Sequence, residues 1–164
     1  MIKIFKYFYL IFSKLYFGIT YKTLKKSSKS HDELRQIWKK NLDKNFPEID
    51  DFEKQTGYSI DSNFLHDLAF KTQVADKTNS KVSYSHGRLL YSCLRKYCEN
   101  KTNTYINIIE TGTARGFSSI CMAKALEDHN KPGKIITLDI LPVKNKIFWN
   151  SEADENGKKS RCVQ

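Results

Sequence analysis

The sequence predicts an α/β protein in which a helical N-terminal region is followed by a strand–helix–strand (βαβ) unit. Apolar residues recur at helical spacing over residues 31–100, and short β-branched runs at 105–109 and 135–138 suit strands. A glycine-bearing loop and an apolar helical stretch lie between those two runs. The 164 residues are 40% apolar and 28% charged, which is enough to bury a core and argues against a collagen-like or disordered chain.

The formal net charge of +10 is concentrated at the start of the chain. Residues 1–30 contain seven lysines and no acidic residue, so they carry +7 and the remainder carries +3. A basic head segment of this kind does not make the whole domain a nucleic-acid binder, and we expect no nucleic-acid partner.

Residues 1–26 have the pattern of a basic amphipathic helix, and residues 23–30 form a polar joint behind it. The longest uncharged runs, 7–13 and 15–21, are far shorter than the ~18 apolar residues that a spanning helix needs. No small-residue cleavage site follows, so we do not expect secretion. Two interpretations stay open: the apolar face packs on the protein itself, or it lies in a membrane interface and makes a cytoplasmic protein peripheral to the membrane. On a helical projection that face holds Phe5, Phe8, Tyr9, Phe12 and Tyr16.

Three helices are predicted between residues 31 and 100. Ser30 and Glu33 form an S-x-x-E capping box that starts the first helix, which ends before Pro47. After a turn or short helix closed by Gly57, the second helix follows.

Asp61 or Ser62 can cap that second helix, and residues 87–99 form the third. A loop is expected over 76–83. The residues of the third helix that share one apolar face are Leu90, Cys93, Leu94, Tyr97 and Cys98.

The four cysteines show neither a CxxC pair nor a spacing suited to zinc. We therefore expect free, mostly buried thiols in a reducing compartment and no metal site. The four are Cys93, Cys98, Cys121 and Cys162.

The strongest functional signal is the segment between the two strands. The first strand ends at Glu110, the loop contains Gly112 and Gly116, a helix starts near Phe117, and the second strand ends at Asp139. Glycines permit a tight turn and close approach of a ligand, and the helix directs its free N–H groups and positive dipole end toward the same crevice. Ligands of open α/β sheets bind outside the carboxyl ends of the strands.

The two acidic residues indicate which ligand fits. Asp139 is placed to accept hydrogen bonds from ribose hydroxyls. Glu110 would repel a pyrophosphate but suits a cationic, amino-acid-bearing nucleoside. A nicotinamide or flavin dinucleotide site, the main rival, expects G-x-G-x-x-G, whereas the spacing here is G-x-x-x-G.

Residues 110–118 (ETGTARGFS), followed by a strand ending in Asp139, resemble motif I and the next acidic position of class I S-adenosylmethionine-dependent methyltransferases. The form is most similar to small-molecule O-methyltransferases of the catechol, caffeoyl-CoA and macrocin type, although Ala114 replaces a common glycine. The resemblance implies a Rossmann-like sheet, S-adenosylmethionine as cofactor, and methyl transfer to an oxygen of a small molecule. A sugar or a lipid-linked compound is the acceptor class considered. It implies that Glu110, Gly112 and Gly116 line the methionine side of the cofactor and that Asp139 binds the ribose. The loop backbone would come from Thr111, Thr113, Ala114, Arg115, Phe117 and Ser118.

The resembling family has a seven-stranded sheet, and its acceptor-binding groups come from later strands. We therefore expect residues 101–164 to be a partial domain of a truncated protein, with no identifiable catalytic residue. The alternative is a non-catalytic membrane-associated or interaction protein with a vestigial nucleotide-binding fold. Unpaired edges of a two-strand sheet predict self-association.

Two aromatic and polar groups have an open role. Residues 84–88 (YSHGR) could cover the cofactor or touch substrate, or they could simply start a helix. Phe148 and Trp149 could stack on an adenine or acceptor, or they could pack on the sheet.

Overall fold

The computed structural model describes residues 12, 27–42, 45–75, 82, 84–101, 104–140 and 148–152. Over these residues the protein is mixed α/β, as the sequence predicts, and it has five helices and a two-stranded parallel sheet. The elements in chain order are α1 (His31–Lys39), α2 (Pro47–Thr56), α3 (Ser62–Gln73), α4 (Ser85–Glu99), β1 (Ile106–Thr111), α5 (Phe117–Asp128) and β2 (Gly133–Leu138).

Local signals set the helix boundaries. The predicted capping box is present at α1: the Ser30 side chain accepts from the Glu33 amide, and the Glu33 carboxylate accepts from the Ser30 amide. Pro47 occupies the first turn of α2, and Gly57 ends that helix in the left-handed conformation with φ 76°. Asp61 caps α3 by accepting from the Phe64 amide at 2.7 Å.

The buried face of α4 differs from the predicted one. Cys93 and Tyr97 are exposed, whereas Tyr91 and Ser92 are buried. Burial of these polar side chains is tolerated because each is hydrogen-bonded: Ser92 Oγ donates to the Tyr58 carbonyl at 2.8 Å, and Tyr91 donates to a carboxylate of α5 at 2.7 Å.

Strands β1 and β2 pair in parallel, with Ile108 opposite Ile135, and α5 connects them. One face of the pair, which includes Ile106 and Ile108, packs against Cys98 and Leu126. The opposite face is open to solvent and is half apolar. Its exposed residues are Asn107, Ile109 and Thr111 of β1 and Lys134, Ile136 and Leu138 of β2.

The main core joins the helices to the strand–helix–strand segment. Side chains of α1, α3 and α4 share one buried cluster with Phe117, Cys121 and Ala125 of α5. The closest approach is at Gly87 of α4, where an added Cβ would lie 2.7 Å from two ring carbons of Phe117 and 2.8 Å from Cys121 Sγ. Only a residue without a side chain lets the two helices meet at this distance.

Helix α2 is attached to α4 by an ion-pair cluster. The Arg88 guanidinium donates to Asp50 Oδ1 at 2.6 Å and to both carboxylate oxygens of Glu53. These two acids raise the pKa of Arg88 and keep it charged.

Each of the helices α1 to α5 is too short or too polar to traverse a bilayer. The predicted amphipathic helix over residues 1–26 lies outside the described residues apart from Phe12, whose side chain is exposed. The loop expected at 76–83 and Cys162 also lie largely or wholly outside them.

Candidate functional site

The loop between β1 and α5 is built around two glycines in the left-handed region. Gly112 and Gly116 both have φ 80°, and Ala114 between them has φ 47°. We call residues 112–116 the glycine loop. A side chain at either glycine would strain the backbone, which explains why glycine occupies these two positions. Gly116 is the N-cap of α5 and offers no side chain to its first N–H groups.

Two hydrogen bonds attach the glycine loop to the end of β2. The Gly112 amide donates to the Leu138 carbonyl at 2.7 Å, and the Ala114 amide donates to Asp139 Oδ2 at 2.6 Å. Asp139 therefore helps to hold the loop. The strand pattern predicts Asp139 at the carboxyl end of β2, but it does not predict the bond to Ala114, which lies 25 residues earlier in the chain.

Glu110 lies near the end of β1, on the sheet face that packs against the helices, and is half-buried. Its Oε2 accepts a hydrogen bond from Ser119 Oγ in the first turn of α5. Its other oxygen, Oε1, has no hydrogen-bond partner among the described residues. Ser119 is not among the predicted site residues. The sequence feature that could have indicated it is a serine in the first turn of the helix after the loop.

His86, the second residue of α4, lies beside the start of α5. Its ring contacts Phe117 edge-on, with 4.8 Å between centroids and 62° between planes. Burial lowers the pKa of His86, and the carboxylate of Glu110 acts on that pKa in the opposite direction. His86 is thus close enough to Glu110 to sense its charge.

The polar cluster at residues 84–88 is divided by the fold. Tyr84 and Arg88 line a separate cavity of about 700 Å³ between α2, α3 and α4, and His86 does not line it. No residue of the glycine loop lines that cavity. Of this cluster, His86 and Gly87 contact Phe117, the first residue of α5, whereas Tyr84 belongs to the core and Arg88 to the ion pairs with α2.

The side chain of Arg115 leaves the loop and joins two distant segments. Its Nη1 donates to the Thr72 carbonyl at the end of α3 at 3.2 Å, and its Nη2 donates to the Trp149 carbonyl at 2.8 Å. The guanidinium also lies over the Trp149 ring at 5.9 Å. The sequence predicts that Arg115 contributes only its backbone to the loop. The structure shows that its side chain also joins the loop to α3 and to Trp149.

The remaining predicted site residues have mixed surroundings. Thr111 is exposed at the end of β1, Thr113 is buried, Phe117 is a core residue, and Ser118 is half-buried. Trp149 is buried. Within the described part of the chain, no three His, Cys, Asp or Glu side chains come together in a group that could hold a metal ion.

Neither a family model, nor a curated protein, nor a solved structure matched this chain.

Proposed function

We propose that the chain binds S-adenosylmethionine through the glycine loop and acts in methyl transfer to an oxygen of a small molecule. The observation that carries the proposal is the placement of two carboxylates around this loop. Glu110 and Asp139 lie at the carboxyl ends of two paired parallel strands, one bonded to the first turn of α5 and the other to the Ala114 amide. The motif resemblance and this geometry support the same ligand.

The groups present fit the chemistry of S-adenosylmethionine. Glu110, with Oε1 unpartnered among described residues, can accept hydrogen bonds from the cationic amino end. The start of α5 offers backbone N–H groups and a positive dipole end to the ligand carboxylate. Asp139 can accept from the ribose hydroxyls while its Oδ2 holds the loop. In this proposal the strand–helix–strand segment is part of a Rossmann-like sheet.

The same carboxylates weigh against a dinucleotide. A pyrophosphate at the start of α5 would meet Glu110, a like charge at short range, and no basic residue lies in the first turn of that helix. The bound cofactor would supply an electrophilic methyl group, and the protein would contribute alignment of donor and acceptor. We propose a sugar or lipid-linked hydroxyl compound as the acceptor class.

Calorimetric titration of the full chain with S-adenosylhomocysteine tests the proposal. We expect saturable binding that Asp139→Asn weakens by about tenfold or more, because an amide can still accept from Ala114 but cannot replace a carboxylate toward two hydroxyl donors. Asp139→Ala should weaken it further, since the loop also loses its support. Asp67→Asn on the exposed surface of α3 is the matched control and should bind as the wild type does.

Absence of binding in a folded, monodisperse sample would refute the proposal. It would favour the alternative, a non-catalytic interaction protein with a vestigial nucleotide-binding fold. Binding that Asp139→Asn leaves unchanged would place the ligand elsewhere and would remove Asp139 from the site.

A further inference from the structure

His86 is held at the start of α5 by the close packing of two helices. Because Gly87 has no side chain, the α4 backbone comes within contact of Phe117 and Cys121. The neighbouring imidazole then lies against the Phe117 ring, 4.8 Å between centroids. Phe117 is the first residue of α5, and Ser119 in the same helical turn is bonded to Glu110, so His86 and Glu110 both contact the helix turn that the proposed cofactor would meet.

The charged group that acts on His86 is Glu110 of β1. The first turn of α5, which packs against the imidazole, carries no charged residue. On α4 itself, Arg88 is engaged by Asp50 and Glu53 of α2. In the glycine loop, Arg115 is engaged by the carbonyls of Thr72 and Trp149.

The imidazole of His86 makes no hydrogen bond with any described residue and is about half-buried. Burial lowers its pKa below the ordinary histidine value, so the ring is neutral at pH 7 and above and becomes a cation as the solution is acidified. In the cationic form it would stand beside Glu110 and offset the negative charge available to a ligand.

We propose that His86 determines how the site discriminates S-adenosylmethionine, a sulfonium cation, from S-adenosylhomocysteine, a neutral thioether. This inference rests on the proposed function. With a neutral imidazole, the field of Glu110 favours the sulfonium. When the imidazole is protonated, its positive charge largely cancels the field of Glu110 and repels the sulfonium. The neutral thioether is not repelled, so its affinity is not reduced by this charge. The two ligands share their amino and carboxylate groups, so the ratio of their affinities isolates the charge at sulfur.

The test is calorimetric titration of the full chain with each ligand at about pH 8 and at an acidic pH at which NMR titration shows the His86 ring protonated. We expect the ratio of the S-adenosylmethionine Kd to the S-adenosylhomocysteine Kd to rise about threefold or more at the lower pH. A unit charge ~7 Å from the sulfonium would have an effect of this size even at the dielectric constant of water.

His86→Asn should make the ratio independent of pH. The matched control is His66→Asn. His66 also makes edge contacts with aromatic rings, but these are Trp38 and Tyr84, whereas the edge contact of His86 is with Phe117 at the start of α5. That variant should keep the wild-type pH dependence. In the unmodified protein, NMR titration of the His86 ring should show that S-adenosylmethionine lowers its pKa more than S-adenosylhomocysteine does, as reciprocal linkage requires.

An affinity ratio that does not change with pH in the wild type, or that changes equally in His86→Asn, would overturn the inference. Equal effects of the two ligands on the His86 titration would overturn it as well. Failure of the proposed function has a different signature, because then neither ligand binds even at about pH 8.

Discussion

Gly87 is a position at which a single added methyl group should disturb the packing of two helices. In Gly87→Ala the new Cβ would start 2.7 Å from Phe117 Cε1 and Cζ and 2.8 Å from Cys121 Sγ. Carbon atoms in contact settle at ~3.5–4.0 Å, so α4 and α5 would have to separate by about 1 Å or the ring would have to leave its position.

The expected magnitude is a balance of two effects. Overpacking a core of this kind costs about 1–3 kcal/mol. Replacing a helical glycine by alanine raises the free energy of unfolding by up to about 1 kcal/mol, because alanine has the higher helix propensity. We therefore expect Gly87→Ala to lower the free energy of unfolding by about 1–2 kcal/mol, measured by urea denaturation followed by far-UV circular dichroism.

A double-mutant cycle with Cys121→Ala identifies the cause. Removal of the sulfur relieves one of the clashing contacts, so the double variant should be more stable than the sum of the single effects predicts, by at least about 0.5 kcal/mol. Gly57→Ala is the control. Gly57 has φ 76° and no atom lies within 4 Å of an added Cβ, so this substitution destabilises the protein through backbone strain alone. Its effect on the free energy of unfolding should therefore be additive with that of Cys121→Ala. Wild-type stability of Gly87→Ala, or simple additivity with Cys121→Ala, would refute the reasoning.

Three further outcomes follow from individual contacts. Arg88→Met leaves the 11%-exposed Glu53 side chain without its cation and should lower the free energy of unfolding by about 2–3 kcal/mol in urea denaturation; a change under about 0.5 kcal/mol would contradict this. Burial and then the hydrogen bond to the Asp128 carboxylate raise the pKa of Tyr91, so the protonated phenol contributes to stability below about pH 10 and this contribution is lost as the pH rises further. Tyr91→Phe should therefore reduce the loss of thermal stability in alkaline solution. An unchanged alkaline profile in thermal melts would contradict this. Burial raises the pKa of Cys121 to about 12, so iodoacetamide at neutral pH should modify the exposed Cys93 and spare Cys121, as peptide mass spectrometry can show; equal labelling would contradict the burial.

Features of the fold that depend on neighbouring residues were predictable. The capping box at Ser30, the cap at Asp61 and the left-handed Gly57 each involve groups three or four residues apart. The apolar face of α4 was not predicted correctly, because the burial of Ser92 depends on a carbonyl 34 residues away in the chain. A polar residue with a distant partner looks like a surface residue in the sequence.

The candidate site shows the same division. The positions of Glu110 and Asp139 at the strand ends follow from two short apolar runs and the loop between them. The bonds that hold these side chains do not follow, since Asp139 meets an amide 25 residues earlier. The role of His86 likewise depends on how closely Gly87 lets two helices approach, which no local pattern encodes.

Arg115 has a consequence for the order in which the chain folds. Its two carbonyl partners, on Thr72 and Trp149, lie 43 residues before it and 34 residues after it. Both intervening segments must close before the guanidinium can bridge them, and closure of long loops is slow because it is opposed by chain entropy. The Arg115 bridge is therefore expected to form late in folding, after the local helices have formed.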